Sequence, residues 1–130
     1  MHIEHLPITD LTGYARNSRT HSAAQVKQIA ASITEFGFTN PILIDQHNEI
    51  IAGHGRLEAA KHLGLETVPT IRLGHLTDTQ KRAYVIADNK IYESGSWDLE
   101  LLKEEAATID ISWMEEILAD YTIHPTAPSP

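Results

Sequence analysis

Gly53, His54, Gly55 and Arg56 stand inside the stretch EIIAGHGRLEAAKHLG, residues 49–64. Their types and order suit the binding of an anion. Two glycines around one histidine free the backbone for a tight turn, because glycine takes positive φ without a steric penalty. A helix begun after such a turn presents backbone N–H groups and the positive end of its dipole. Arg56 adds a forked cationic donor that matches phosphate. His54 is either a polar residue that merely stands at the turn, or a phosphate donor or an acid/base near neutral pH. No second base or carboxylate is evidently paired with it, so binding outweighs chemistry. Taken alone, the stretch favours a plainer reading, a strand-to-helix turn with a solvated arginine, since the P-loop pattern is absent.

The elements that must hold this turn lie on either side of it. Ile50 to Ala52 reads as a short buried strand. Arg56 to Leu63 reads as a helix with Leu57, Ala60 and Leu63 inward and Gly64 as its stop. Upstream, HIEHLPI (2–8) reads as a strand, on which His2 and His5 face opposite sides and cannot share a metal. GYARNSRTH (13–21), with Arg16, Asn17 and Arg19, is either a plain polar loop or a ligand-facing one. Ser22 with Gln25 makes a capping box. It opens a helix whose buried face is Val26, Ile29, Ala30, Ile33 and Phe36, and Gly37 ends it. Pro41 to Ile44 reads as a buried strand and Asp45 to Asn48 as a turn.

Downstream, Val68 to Leu73 is a further strand, with Pro69 near its start, where a missing donor does least harm. Thr77 and Gln80 cap a helix predicted from Asp78 to Ser94, with Ala83, Ile86, Ala87 and Ile91 inward. Asp98 starts a shorter helix with Leu99, Leu102 and Ala106 inward. Ser112 with Glu115 caps a last one. TIHPTAPSP (122–130) has three prolines and no periodicity, so it reads as a linker or disordered tail leading to further protein. Three segments follow: a domain over residues 1–96, an acidic helical extension over 97–121, and the tail.

The chain has 130 residues, 42% of them hydrophobic, enough for one domain with a real core. No apolar run approaches a membrane span, and MHIEHLPITD carries no signal-peptide pattern. There is no cysteine, which excludes disulfides, thiol chemistry and Cys-based zinc sites. A cytoplasmic location is the default. Net charge is −8. Residues 98–120 hold eight carboxylates against Lys103 alone, a net −7, which leaves −1 for the rest. This balance argues against a broad basic face gripping nucleic acid, while leaving room for a small cationic site in the first two-thirds.

Three stretches resemble the N-terminal domain of the ParB family, within the wider ParB/sulfiredoxin superfamily. They are RNSRTHSAAQVKQIAASITEFGFTNPILID, EIIAGHGRLEAAKHLGLETVPTI and LTDTQKRAYVIADNKI, in the family's order and approximate spacing. Together they span about residues 3–93. The version it looks most like stands at the front of phage and mobile-element DNA methyltransferases, and that match would continue through GSWDLELLKEEA. The resemblance implies an α/β (α+β) fold, a small mixed β-sheet flanked by helices, followed here by the acidic helices.

The resemblance also implies a nucleotide pocket, for CTP in ParB proteins and ATP in sulfiredoxins. The family's phosphate-binding G-x-x-R falls on Gly53, His54, Gly55 and Arg56. Its Asn-Pro-Arg loop falls on Asn17, Ser18 and Arg19, with Arg16 beside it. Its Glu-Asn pair, which meets triphosphate and magnesium, falls on Asp88 and Asn89. Gly55 and Glu58 stand where ParB proteins usually carry further arginines. His54 stands where sulfiredoxins need a cysteine, so reductase chemistry is excluded. The acidic segment after residue 93 is unlike the family's DNA-reading helix-turn-helix.

The expected function is a module binding CTP or ATP with magnesium. It would serve a DNA-modification or DNA-partition protein in a regulatory or DNA-associated role, with slow NTPase activity compatible. DNA would be held weakly or through a downstream domain, and a homodimer is compatible. One rival is a metal-dependent ParB-like nuclease, although no carboxylate cluster with a histidine shares a turn. The other is an interaction module with a vestigial pocket, whose acidic helices meet a basic partner.

Overall fold

The computed structural model describes residues 2–13, 21–93 and 95–119. Its strands are β1 (Glu4–Pro7), β2 (Ile42–Ile44), β3 (Ile50–Ala52) and β4 (Thr67–Arg72). Its helices are α1 (Ala23–Phe36), α2 (His54–His62), α3 (Asp78–Glu93), α4 (Leu99–Ala106) and α5 (Met114–Ile117). The strands form one mixed sheet in the order β1-β4-β2-β3. The outer pairs β1/β4 and β2/β3 are antiparallel, and the central pair β2/β4 is parallel. This is the small mixed sheet with flanking helices that the sequence resemblance implies. The chain divides into two compact units, residues 1–89 and 90–130.

In the first unit the sheet has two apolar faces, because successive strand residues point to opposite sides. Ile42, Ile44, Ile50 and Val68 pack with Leu57 and Ala60 of α2. Leu43, Ile51 and Ile71 pack with Tyr84 and Val85 of α3. So α2 and α3 cover opposite faces. Apolar runs as short as PILI and EIIA are strands because both sides are buried. Thr12 extends the outer edge: its N–H donates to Asn48 O at 3.0 Å and its carbonyl accepts from Ile50 N at 2.8 Å.

Helix starts follow the sequence closely. Ser22 Oγ accepts from Gln25 N at 3.1 Å to cap α1. At α3 the capping box is complete: Gln80 N donates to Thr77 Oγ1 at 3.1 Å, and Thr77 N to Gln80 Oε1 at 2.9 Å. The last capping box is not used, since the N-cap of α5 falls on Trp113 rather than Ser112. Helix α2 begins two residues earlier than predicted, with Gly53 as its N-cap.

The inner face of α3 differs most from expectation. Ile86 and Ile91 are 70% and 68% exposed, and Val85 is buried. The face turned inward is Lys81, Tyr84, Val85 and Asp88, an i, i+3, i+4, i+7 set displaced by two residues from the stripe of Ala83, Ile86 and Ala87. A buried ion pair accounts for this phase. Lys81 Nζ lies 2.9 Å from Asp45 Oδ2 and 3.1 Å from Glu49 Oε1, both on the β2–β3 hairpin. Holding Lys81 against the hairpin turns Tyr84 and Val85 to the sheet and Ile86 to solvent.

In the second unit Ala106 and Leu118 are buried and Leu102 packs against them. Leu99, predicted inward, is 49% exposed. Asp98 caps α4 by accepting from Leu101 N at 3.2 Å. The predicted tail over 122–130 lies outside the described residues. No helix among the described residues is long and apolar enough to cross a membrane.

Candidate functional site at the turn into helix α2

Gly53 has φ 108°, in the left-handed region that favours glycine. A Cβ there would meet Arg56 Nη2 at 3.0 Å and Ile42 Cγ1 at 3.2 Å. The residue is therefore fixed twice, by backbone conformation and by close packing. Glycine at the N-cap brings no side-chain acceptor to the first-turn amides. Such a helix N-terminus is electrostatically suited to an anion.

Arg56 is not the solvated residue of the plainer reading. It is half-buried, and its Nη2 donates to Pro41 O, just before β2, at 3.0 Å. The guanidinium lies beneath Gly53. One end of the fork braces the turn against the sheet while the charge stays at the helix N-terminus.

Gly55 lies inside the first turn of α2, where a glycine costs helix stability relative to alanine. Its reason is contact with α1. A Cβ at Gly55 would stand 2.9 Å from His21 Cε1 and 2.9 Å from Ile29 Cδ1. The missing side chain lets Ile29 of α1 and His21 ahead of it close over the turn. We expect Gly55→Ala to lower stability by about 1–3 kcal/mol despite its better helix propensity, because overpacking outweighs that gain. A urea denaturation midpoint at or above that of the wild type would show that His21 and Ile29 relax freely.

The same contacts locate the polar stretch 13–21. A Cβ on Gly13 would lie 3.8 Å from His54 Cδ2, and His21 touches Gly55. The described ends of that stretch therefore both meet the Gly53–Arg56 turn. Arg16, Asn17 and Arg19 lie outside the described residues.

A groove of about 630 Å³ runs between α1 and α2, lined by His21, Lys27, His54, Glu58 and His62 among others. His21 Nδ1 is 3.1 Å from Gln25 Oε1. Burial pushes His54 below the ordinary histidine range, and the nearby His21 adds to this, while Glu49 and Glu58 oppose it. Sequence reasoning singled out His54 but missed His21, Lys27 and His62. A signal existed, since His54, Glu58 and His62 recur at i, i+4, i+8 and so share one helix face.

Asp88 and Asn89 are both half-buried on α3. Asn89 Nδ2 donates back to Val85 O at 3.0 Å, the i−4 pattern by which short polar side chains fit inside a helix. Among the described residues, no group of three or more His, Asp or Glu side chains could hold a metal ion.

Residues 1–90 match the ParB N-terminal domain family. The chain is 54% identical over 80 residues to the ParB-like nuclease domain-containing protein YnaK of Escherichia coli, covering 62% of this chain and 92% of that one. It is 34% identical over 92 residues to a nucleoid occlusion protein of Bacillus thuringiensis, covering 67% of this chain but only 31% of that longer protein. Its fold is similar to a C-terminally truncated chromosome-partitioning protein ParB of Caulobacter crescentus complexed with CTP-gamma-S. There the TM-score is 0.72 and identity 21%, over 96% of this chain and 73% of that one. It is also similar to sulfiredoxin of Arabidopsis thaliana, with TM-score 0.51 and identity 25%, over 57% of this chain and 86% of that one.

Proposed function

The chain belongs to the family of ParB N-terminal domains, and on that premise we propose that it is a nucleotide-binding module, with CTP the first candidate ligand and ATP the second. It would serve a DNA-associated or partition-type protein, in the version carried at the front of mobile-element DNA methyltransferases. The observation that carries the reading is the turn itself. Gly53 at φ 108° caps α2 without a side-chain acceptor, and Arg56 is held beside it by Pro41. A phosphate placed there meets backbone N–H groups, a helix dipole and a guanidinium together. The C. crescentus protein of similar fold, complexed with a CTP analogue, supports the choice of nucleotide.

In this reading Arg16, Asn17 and Arg19 contribute from the stretch whose ends meet the turn. Asp88 and Asn89 serve magnesium. The donor set fits that ion, because Mg²⁺ takes one or two carboxylates and completes its shell with phosphate oxygens and water. One aspartate and one carboxamide would suffice, and magnesium would neutralise charge on the phosphate chain. With a net charge of −8, the chain would hold duplex DNA weakly at physiological salt by itself.

The test is calorimetric titration with CTP, ATP and GTP, each with magnesium and with chelator. Saturable binding of CTP or ATP supports the reading. Metal-dependent cutting of DNA without nucleotide binding would replace it with a nuclease, and neither result would leave an interaction module. We expect Asn89→Ala to remove the magnesium-dependent part of binding while the thermal midpoint moves little. Full retention of magnesium dependence in that variant would place Asp88 and Asn89 outside the site.

A further inference from the structure

Three imidazoles meet at the groove between α1 and α2. His21 stands just before α1, His54 opens α2 and His62 ends it, and all three line the groove with Lys27 and Glu58. Besides its imidazoles, the lining carries Lys27 against Glu58, and Glu58 is itself 3.4 Å from Lys61 Nζ. Arg56 and the α2 N-terminus beside it already favour an anion, and charged imidazoles in the groove would add to them.

We propose that this groove is a proton-coupled anion subsite, in which His21, His54 and His62 take up protons as a phosphate-bearing ligand binds. The inference rests on the nucleotide reading above only for the identity of the ligand. The geometry supplies the coupling. His21 packs on Gly55 and the ring of His54 on Gly13, so two imidazoles flank one short turn. Without a ligand their positive charges would repel each other. An anion between them offsets that repulsion and favours both charged forms.

The groups around His54 come from several elements. His21 and Lys27 face it from α1 and the residues before it, and Glu49 from the β2–β3 hairpin. Arg56, Glu58 and His62 belong to α2, its own helix. In the free protein, burial and His21 hold its pKa low, so it stands ready to gain a proton when phosphate arrives. By linkage, a ligand that raises a group's pKa binds more tightly as pH falls. One coupled proton gives up to about tenfold per pH unit.

The test uses CTP and, separately, sulfate, which has no proton to exchange near neutral pH. Calorimetry between roughly pH 6 and 8, in buffers of different ionisation enthalpy, counts protons taken up. NMR of the histidine rings of the wild-type chain follows each imidazole directly. The expected result is tighter CTP binding at lower pH, with the His54 midpoint rising when CTP or sulfate saturates the chain. The variant His21→Gln/His54→Gln/His62→Gln should then show only the proton exchange of CTP itself. Binding of CTP with equal proton counts in wild type and a folded variant would overturn the inference and leave the nucleotide reading intact. A response of the imidazoles to sulfate without any CTP binding would keep the subsite and remove the nucleotide. If neither anion moves any imidazole midpoint, the groove is not a subsite, whether or not the variant folds.

Discussion

Asp45→Ala should remove about 3–5 kcal/mol of folding stability, because it leaves Lys81 as a buried charge without its closest counter-ion. Asp45 is 3% exposed. Its Oδ1 accepts from His47 N at 2.8 Å and Glu49 N at 2.9 Å, which shapes the β2–β3 turn. Its Oδ2 receives Lys81 Nζ at 2.9 Å. One carboxylate thus builds the hairpin and fixes α3 to it. Small domains are stable by about 5–15 kcal/mol, so the loss would bring the fold near its limit. The check is urea denaturation of wild type, Asp45→Ala, Lys81→Met and the double variant. We expect the double variant to be less damaged than the sum of the singles, since removing both charges leaves none buried alone. A loss below about 1 kcal/mol in Asp45→Ala would mean that Glu49 and water satisfy Lys81.

The same network sets a pH window. Burial alone would push the Asp45 carboxyl up, but the hydrogen bonds from Lys81, Glu49 and His47 and the charge of Lys81 outweigh it and hold the group below 3.8. Its folded pKa is depressed, so its stabilisation is full above the unfolded value and fades as pH falls through the folded one. Lys81 is pushed up from 10.5 to about 12, chiefly by its hydrogen bond to Asp45. Its contribution is full below the unfolded value and fades as pH rises through the folded one. The wild type should therefore hold its denaturation midpoint better than Asp45→Ala across neutral pH, and the two should converge in strong acid.

The origin of this network explains what was and was not legible. The caps of α1 and α3 were visible in Ser22–Gln25 and Thr77–Gln80 because capping is local chemistry between residues three apart. The sheet was legible because Pro41–Ile44, Ile50–Ala52 and Val68–Leu73 are short apolar runs bounded by turn residues. The phase of α3 was not. Ala83, Ile86, Ala87 and Ile91 make the better apolar stripe, yet Lys81 turns them outward through a contact with a residue 36 positions earlier. Helical periodicity is blind to such a pair. In the same way Gly53 and Arg56 were recognisable as a turn with a cation. That the cation braces against Pro41, and that His21 closes over Gly55, depends on tertiary placement of α1 and β2.

Arg56→Ala should weaken CTP binding by about 30- to 150-fold, equivalent to about 2–3 kcal/mol for one lost charge-assisted contact. The residue has two tasks, and the experiment must part them. Its Nη2 donates to Pro41 O at 3.0 Å and its guanidinium lies under Gly53, so alanine also loosens the turn. The structural part should be modest, about 1 kcal/mol for a hydrogen bond to a backbone carbonyl. Arg56→Lys separates the roles. A lysine keeps the charge at the helix N-terminus but has no second fork arm to brace against Pro41 while facing phosphate. We therefore expect Lys to recover part of the affinity and little of the bracing. The measurements are CTP titration at fixed magnesium and thermal unfolding of all three proteins. Affinity falling in Ala and partly returning in Lys, at similar midpoints, assigns Arg56 to the ligand. Equal affinity in wild type and Ala would make Arg56 a brace alone, and Gly53–Arg56 would not be the phosphate site.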